Sequence, residues 1–230
     1  MFKSLARQMG YHSIRKENPT TEWLAVSFLT LRRVIGLMGL LFPVVLAVGC
    51  VLLDSKCSGL EPSISAYYGT IMRNVFVGVL FTIGWFLFSY KGYENADDIA
   101  GDLACLFALG VALFPITNKQ DWVQNMHLFF AASLFITLAY FSLVLFTKSD
   151  GSPTPRKKTR NQIYKTCGWV MLSCIVLILV TKTLLKDIAW IKNLNPTFWL
   201  ETFTLWAFGV SWMTKGKLLW ADVHDEGQAG

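Results

Sequence analysis

Long runs without a charged side chain limit what this sequence can fold into. From Val34 to Leu53 the chain reads VIGLMGLLFPVVLAVGCVLL, with the next charge at Asp54. Five such stretches approach or exceed the roughly 17–25 apolar residues needed to cross about 30 Å of hydrocarbon as a helix. Soluble domains carry about 25% charged residues, whereas this chain of 230 residues carries 16%, with 53% hydrophobic. The reading is an all-α polytopic membrane protein: a six-transmembrane-helix bundle with an N-terminal interfacial helix.

The expected spans are residues 34–54, 73–90, 100–117, 127–147, 166–186 and 198–214. Asp102 and Pro115 make the third the least regular. Before them, Thr21-Glu22, the run WLAVSFLTL and Arg32-Arg33 have the cap, apolar face and basic stop of a helix lying in the interface. The organisation is therefore a cytoplasmic segment 1–33, a membrane domain 34–214 and a cytoplasmic tail 215–230. The string LAVGC at 46–50 imitates a lipoprotein cleavage box, but Ala47 is small where a bulkier aliphatic belongs and the apolar run continues past Cys50.

Lysine and arginine orient the bundle, because short cytoplasmic connections are rich in them. With six spans, the N-terminal segment, Lys91, the loop 148–165 and Lys215 with Lys217 share one side and hold fifteen of the 21 basic residues. That side is cytoplasmic, in a bacterial inner membrane, and loops 55–72, 118–126 and 187–197 face outward. The same distribution explains the net charge of +6 without nucleic acid. No aromatic-and-basic module or zinc spacing suggests a nucleic-acid partner; membrane lipids are the expected surroundings.

The five cysteines form no CxxC pair. Cys105, Cys167 and Cys174 fall inside spans, where free cysteine packs as a small hydrophobe. Cys50 and Cys57 lie near the outer end of the first span, either as a disulfide or as two thiols. Ala104, Ala108 and Ala112, with Gly101, Gly110, Gly78 and Gly84, let helices approach closely. Packing within the chain is the first reading of that pattern and a homo-oligomer interface the second.

The polar residues inside this apolar frame carry the functional question. The segment SISAYYGTIMRN, residues 63–74, leads into the second span. Spans two, four and six all enter from the outer side, so their first turns place Arg73, His127 and Glu201 at one depth. Ionisable residues in membrane helices are costly and mark a functional site by default. An outward-facing pocket built from Ser63, Ser65, Tyr67, Tyr68, Arg73, His127, Glu201 and Thr204 follows, for a small molecule, an ion or a lipid head group. Each also has a plainer role. Arg73 can snorkel to phosphates, His127 can begin its helix in water, and Glu201 can pair with Arg73. Thr204 and Ser211 can bond within the helices. Glu94, Asp97, Asp98 and Asp102 form an acidic group at the inner end that pairs with the basic loop, or with Asp102 marks a cation route.

Several chemistries are excluded. His12 and His224 lie in the tails, far from His127, so a histidine-rich metal centre lacks ligands; no metal and no cofactor is expected. No HExxH, GxSxG, P-loop or dinucleotide fingerprint occurs. Ser65, His127 and Glu201 form a conceivable triad whose only support is shared depth.

Three blocks, SISAYYGTIMRNVFVGVLFTIGWFLFSYKGYE, RNQIYKTCGWVMLSCIVLI and FWLETFTLWAFGVSWMTKG, resemble a family of uncharacterised bacterial six-span integral membrane proteins. The resemblance covers most of residues 35–217 and implies no defined activity. A shorter likeness, a polar Ile-Ser segment before the second span, is to the Frag1/DRAM/Sfk1 group, which implies membrane organisation and lipid trafficking. The last span lacks the His-x3-His of the seven-span hydrolases that include alkaline ceramidases, so that activity is not carried over. Binding or passage of a ligand at the outer pocket is the leading expectation. A membrane-embedded lipid-modifying enzyme and a structural or partner-binding protein are the alternatives.

Overall fold

The computed structural model describes residues 19–218 apart from 58, 93, 150, 151, 153, 186, 187 and 189–192, with side chains from residue 28 onward. The outer segments 1–18 and 219–230, with His12 and His224, lie outside the described residues. Six α-helices are described: α1 (Pro19–Leu53), α2 (Arg73–Ser89), α3 (Asn95–Leu113), α4 (Asp121–Tyr140), α5 (Pro155–Thr183) and α6 (Pro196–Lys215). A 3₁₀ turn, Ser65–Gly69, precedes α2, and a π-helical turn, Phe141–Leu145, extends α4. Among the described residues there is no strand.

Three segments are long and apolar enough to cross a membrane: Phe28–Leu53, Asp121–Leu145 and Pro155–Thr183. Only 39%, 33% and 28% of their most apolar windows are buried inside the protein. Exposure of that extent fits an apolar surrounding, since soluble monomers rarely leave apolar patches beyond a few hundred Å² in water. Arg73–Ser89 is a shorter apolar helix, while α3 and α6 fall outside the group. The reason is in their sequences: α3 begins with Asp97, Asp98 and Asp102, and α6 carries Glu201 and several threonines.

The expected interfacial helix is continuous with the first long helix, and the backbone carries no boundary at residue 33. Arginine is a good helix former, so Arg32-Arg33 does not stop the helix. Arg33 instead donates through Nε to the carbonyl of Gly216 at 2.9 Å, just past the end of α6. That bond satisfies a carbonyl orphaned by the helix end.

Local sequence explains the other boundaries. Glu94 and Asp97 form a reciprocal capping box at the start of α3. Thr154 caps α5, its hydroxyl accepting the Lys157 N–H at 3.2 Å, with Pro155 at the first helical position. Asn195 precedes Pro196 in the left-handed conformation (φ 48°) that asparagine tolerates. Its side-chain amide donates to the Leu60 carbonyl at 3.2 Å, tying the start of α6 to the loop after α1.

Each helix packs on its sequence neighbour, and α6 closes the ring against α1. The α1–α6 crossing is backbone against backbone: a Cβ at Gly36 would meet the Gly209 carbonyl oxygen at 2.8 Å, and one at Gly209 would meet the Gly36 carbonyl at 2.7 Å. Trp206 donates from its indole nitrogen to the Leu40 carbonyl at 3.1 Å along the same seam. Ala104, Ala108 and Ala112 are all buried, and Gly84 of α2 packs on Ala108 and Cys105. These small residues thus serve packing within the chain. Gly78 does not, because nothing lies within 4 Å of where its Cβ would be.

The two ends of the bundle differ. At one end the 3₁₀ turn meets the connections before α4 and α6: Phe198 donates its N–H to the Pro62 carbonyl at 3.2 Å, and Gly69 abuts Thr117. Cys50 and Cys57 are joined there in a disulfide, which closes the open choice between bridge and thiols. At the opposite end Tyr90, Phe141, Phe146 and Trp212 form a buried aromatic cluster. Lys148 and Glu94 pair there at 2.7 Å, and that hydrogen bond raises the Lys148 ammonium above the usual lysine range. Asp97 is buried in its capping box and Asp102 lies exposed on α3. The acidic group therefore serves helix capping and loop pairing, with Asp102 on the surface.

Candidate functional site

The hydroxyl-rich segment becomes a turn because its own side chains close it. Ser63 Oγ accepts the Ala66 N–H at 3.1 Å, and Thr70 donates its hydroxyl to the Tyr67 carbonyl at 2.8 Å. Serine and threonine make such local bonds in preference to helix. Tyr67 is fully buried, its hydroxyl accepts the Glu61 N–H at 3.3 Å, and its ring lies 6.3 Å from that of Phe198. Burial raises the Tyr67 phenol above its ordinary pKa.

Glu201, in the second turn of α6, holds the start of this 3₁₀ turn. One carboxylate oxygen accepts the Ile64 N–H at 2.6 Å. A carboxylate on a backbone N–H is a strong, charge-assisted contact, and here it satisfies a donor that no earlier turn can reach. Arg73 forms no ion pair with Glu201. The guanidinium lies over the Tyr68 ring, 4.9 Å from its centroid, and makes no other hydrogen bond or ion pair among the described residues. Among the described residues, Lys182, near the end of α5, lies close enough to act electrostatically on both Glu201 and His127.

Glu201 and Ser65 also line a cavity of about 40 Å³. Its walls are otherwise apolar, with Phe76 and Leu80 from α2, Leu134 from α4 and Leu205 from α6. The space between the second, fourth and sixth helices is therefore largely filled, leaving room for about one or two waters or a small ion.

The eight residues of the expected pocket thus separate. Ser65 and Glu201 share the cavity. Tyr68 and Arg73 line a different groove, on the outside of α2. His127 is buried and its Nδ1 bonds the Phe114 carbonyl at 2.6 Å, at the end of α3, while its Nε2 has no hydrogen-bond partner among the described residues. Thr204 is buried and donates back to the Leu200 carbonyl at 2.8 Å. Ser211 bonds Ser142 of the π-helical turn at 2.7 Å. Ser63 and Tyr67 are occupied within the turn. Shared depth placed these residues at one end of the bundle; helix rotation then sent them to different faces.

Two contributors lie outside the sequence reading. Lys182 stands in ILVTKTLL as a lone charge in the last turn of an apolar run, a usable signal. Asn74, which joins Arg73 on the groove, has no distinguishing sequence signal. Among the described residues no three His, Cys, Asp or Glu side chains gather as a metal-ligand set.

Comparison with known proteins finds no matching family model, no matching curated protein and no matching solved structure. Geometry and chemistry alone carry the functional reading.

Proposed function

We propose that this is a six-span integral protein of a bacterial inner membrane, with both termini cytoplasmic, that binds one small polar ligand in the cavity at Glu201. The ligand is a small cation or a hydrogen-bond donor of about water size. Membership of the bacterial six-span family that the three sequence blocks resemble is part of this proposal. The topology is supported by the concentration of Lys and Arg in the connections opposite the 3₁₀ turn. It is supported too by a disulfide at the turn's end, since such bonds persist on the oxidising side of the membrane.

One observation carries the binding reading: the Glu201 carboxylate, with Ser65, forms the polar part of the wall of a largely apolar cavity between helices. The volume of about 40 Å³ favours an ion or water over a lipid head group. A second reading, that Glu201 fastens helices, is supported by its 2.6 Å bond to the Ile64 N–H.

The test is thermal unfolding of the purified protein in detergent, titrated with sodium, potassium or ammonium. A ligand that binds only the folded form raises Tm with its concentration, by about 2.7 kcal/mol of stabilisation at one hundred times Kd. Wild type should show such a rise for one of these cations, and Glu201→Gln should lose it while lowering the ligand-free Tm only slightly. An equal response in both proteins, or none in wild type, favours the fastening role alone.

A further inference from the structure

On the outer side of α2, at the end bearing the 3₁₀ turn, a groove of about 460 Å³ runs between α2 and the last turn of α3. That volume lies within the range of about 300–1,000 Å³ for small-molecule clefts. Its two ends differ in chemistry. The mouth holds Arg73, Asn74 and Tyr68, and the trench below holds Val77, Gly78, Phe81 and Leu113. Among the described residues no carboxylate lines it.

The charge at the mouth is unbalanced within the protein. Neither the Arg73 guanidinium nor the Asn74 amide has a hydrogen-bond partner among the described residues. The Tyr68 ring, itself edge-on to Phe76 at 6.2 Å, holds the guanidinium in place. Guanidinium donors are matched to phosphate oxygens in pairs. The trench is open because residue 78 has no side chain, and the space beyond its Cα is empty for at least 4 Å. A positive, donor-rich mouth above an apolar trench, on a helix flanked by hydrocarbon, fits an amphiphile with an anionic head.

We infer that this groove holds a phospholipid, its phosphate on Arg73 and Asn74 and one acyl chain along Gly78 and Phe81. The inference rests on α2 crossing the membrane and is independent of the Glu201 cavity. Lipid would occupy the face of the bundle between the second and third helices, in the outward leaflet.

Native mass spectrometry of the detergent-purified protein, titrated with phosphatidylglycerol or phosphatidylcholine, tests it. Wild type should retain one lipid and prefer the anionic one by about fivefold, the effect of about 1 kcal/mol per basic residue near a negative surface. Arg73→Gln should lose that preference and Arg73→Lys should keep most of it. Gly78→Leu places a side chain where a Cβ would meet no atom within 4 Å, so it should stay close to the wild-type Tm and lose the retained lipid of both kinds. Free glycerol phosphate should not displace the lipid. Retention of the preference in Arg73→Gln, or of wild-type occupancy in a folded Gly78→Leu, overturns the inference. Displacement by glycerol phosphate overturns the acyl trench.

Discussion

Glu201 accepts the backbone N–H of Ile64 at 2.6 Å, joining two residues 137 positions apart and fixing the turn before α2 to the start of α6. The bond accounts for a carboxylate one turn inside an apolar helix without an arginine partner. It also separates charge from contact at this position. Glu201→Ala should lower stability by about 1–3 kcal/mol, the cost of leaving a buried backbone donor unpaired. Glu201→Gln keeps an acceptor oxygen and should cost less than half as much. Thermal unfolding of both variants in one detergent checks the order, and a reversed order would remove the capping role.

The helix crossing at Gly36 and Gly209 leaves no room for a side chain on either residue. Gly36→Val should destabilise by about 1–3 kcal/mol through overpacking. Gly78→Ala, where space is open, should be neutral or stabilise by up to about 1 kcal/mol through helix propensity. Unfolding midpoints of the two variants distinguish a packing glycine from a groove glycine.

Ser142 and Ser211 bond at 2.7 Å where the π-helical turn meets α6. Buried pairs of this kind between membrane helices couple by about 0.6 kcal/mol on average. A double-mutant cycle with Ser142→Ala and Ser211→Ala should return a coupling of that order, and zero coupling would show the pair to be idle.

The bridge between Cys50 and Cys57 leaves Cys105, Cys167 and Cys174 as the free thiols. Maleimide labelling of denatured, unreduced protein should modify those three cysteines, and all five after reduction. Closing a short loop in the unfolded chain contributes about 2–3 kcal/mol. Reductant should therefore lower Tm measurably, and a Cys50→Ser, Cys57→Ser variant should start at the lower value and not respond.

Helical class, the polar turn before α2 and the small-residue face of α3 were legible in the sequence, because each depends on local order or on period. Apolar runs longer than a membrane crossing admit few other structures, and Ala104, Ala108 and Ala112 recur on one helix face whatever they pack against. The boundary expected at Arg32-Arg33 failed for a tertiary reason: Arg33 is engaged by the end of α6, and nothing local breaks the helix.

Arg73 and Glu201 show where the limit lies. Sequence by itself determined that both sit near one end of the bundle, since the order of apolar runs and turns sets depth. Only the tertiary structure decided that they do not meet. Rotation of each helix about its axis is set by ridges, glycine contacts and side-chain bonds distant in sequence, such as Gly36 on Gly209 and Glu201 on Ile64. Those contacts turned Glu201 inward onto a backbone N–H and left Arg73 over Tyr68 at an open groove.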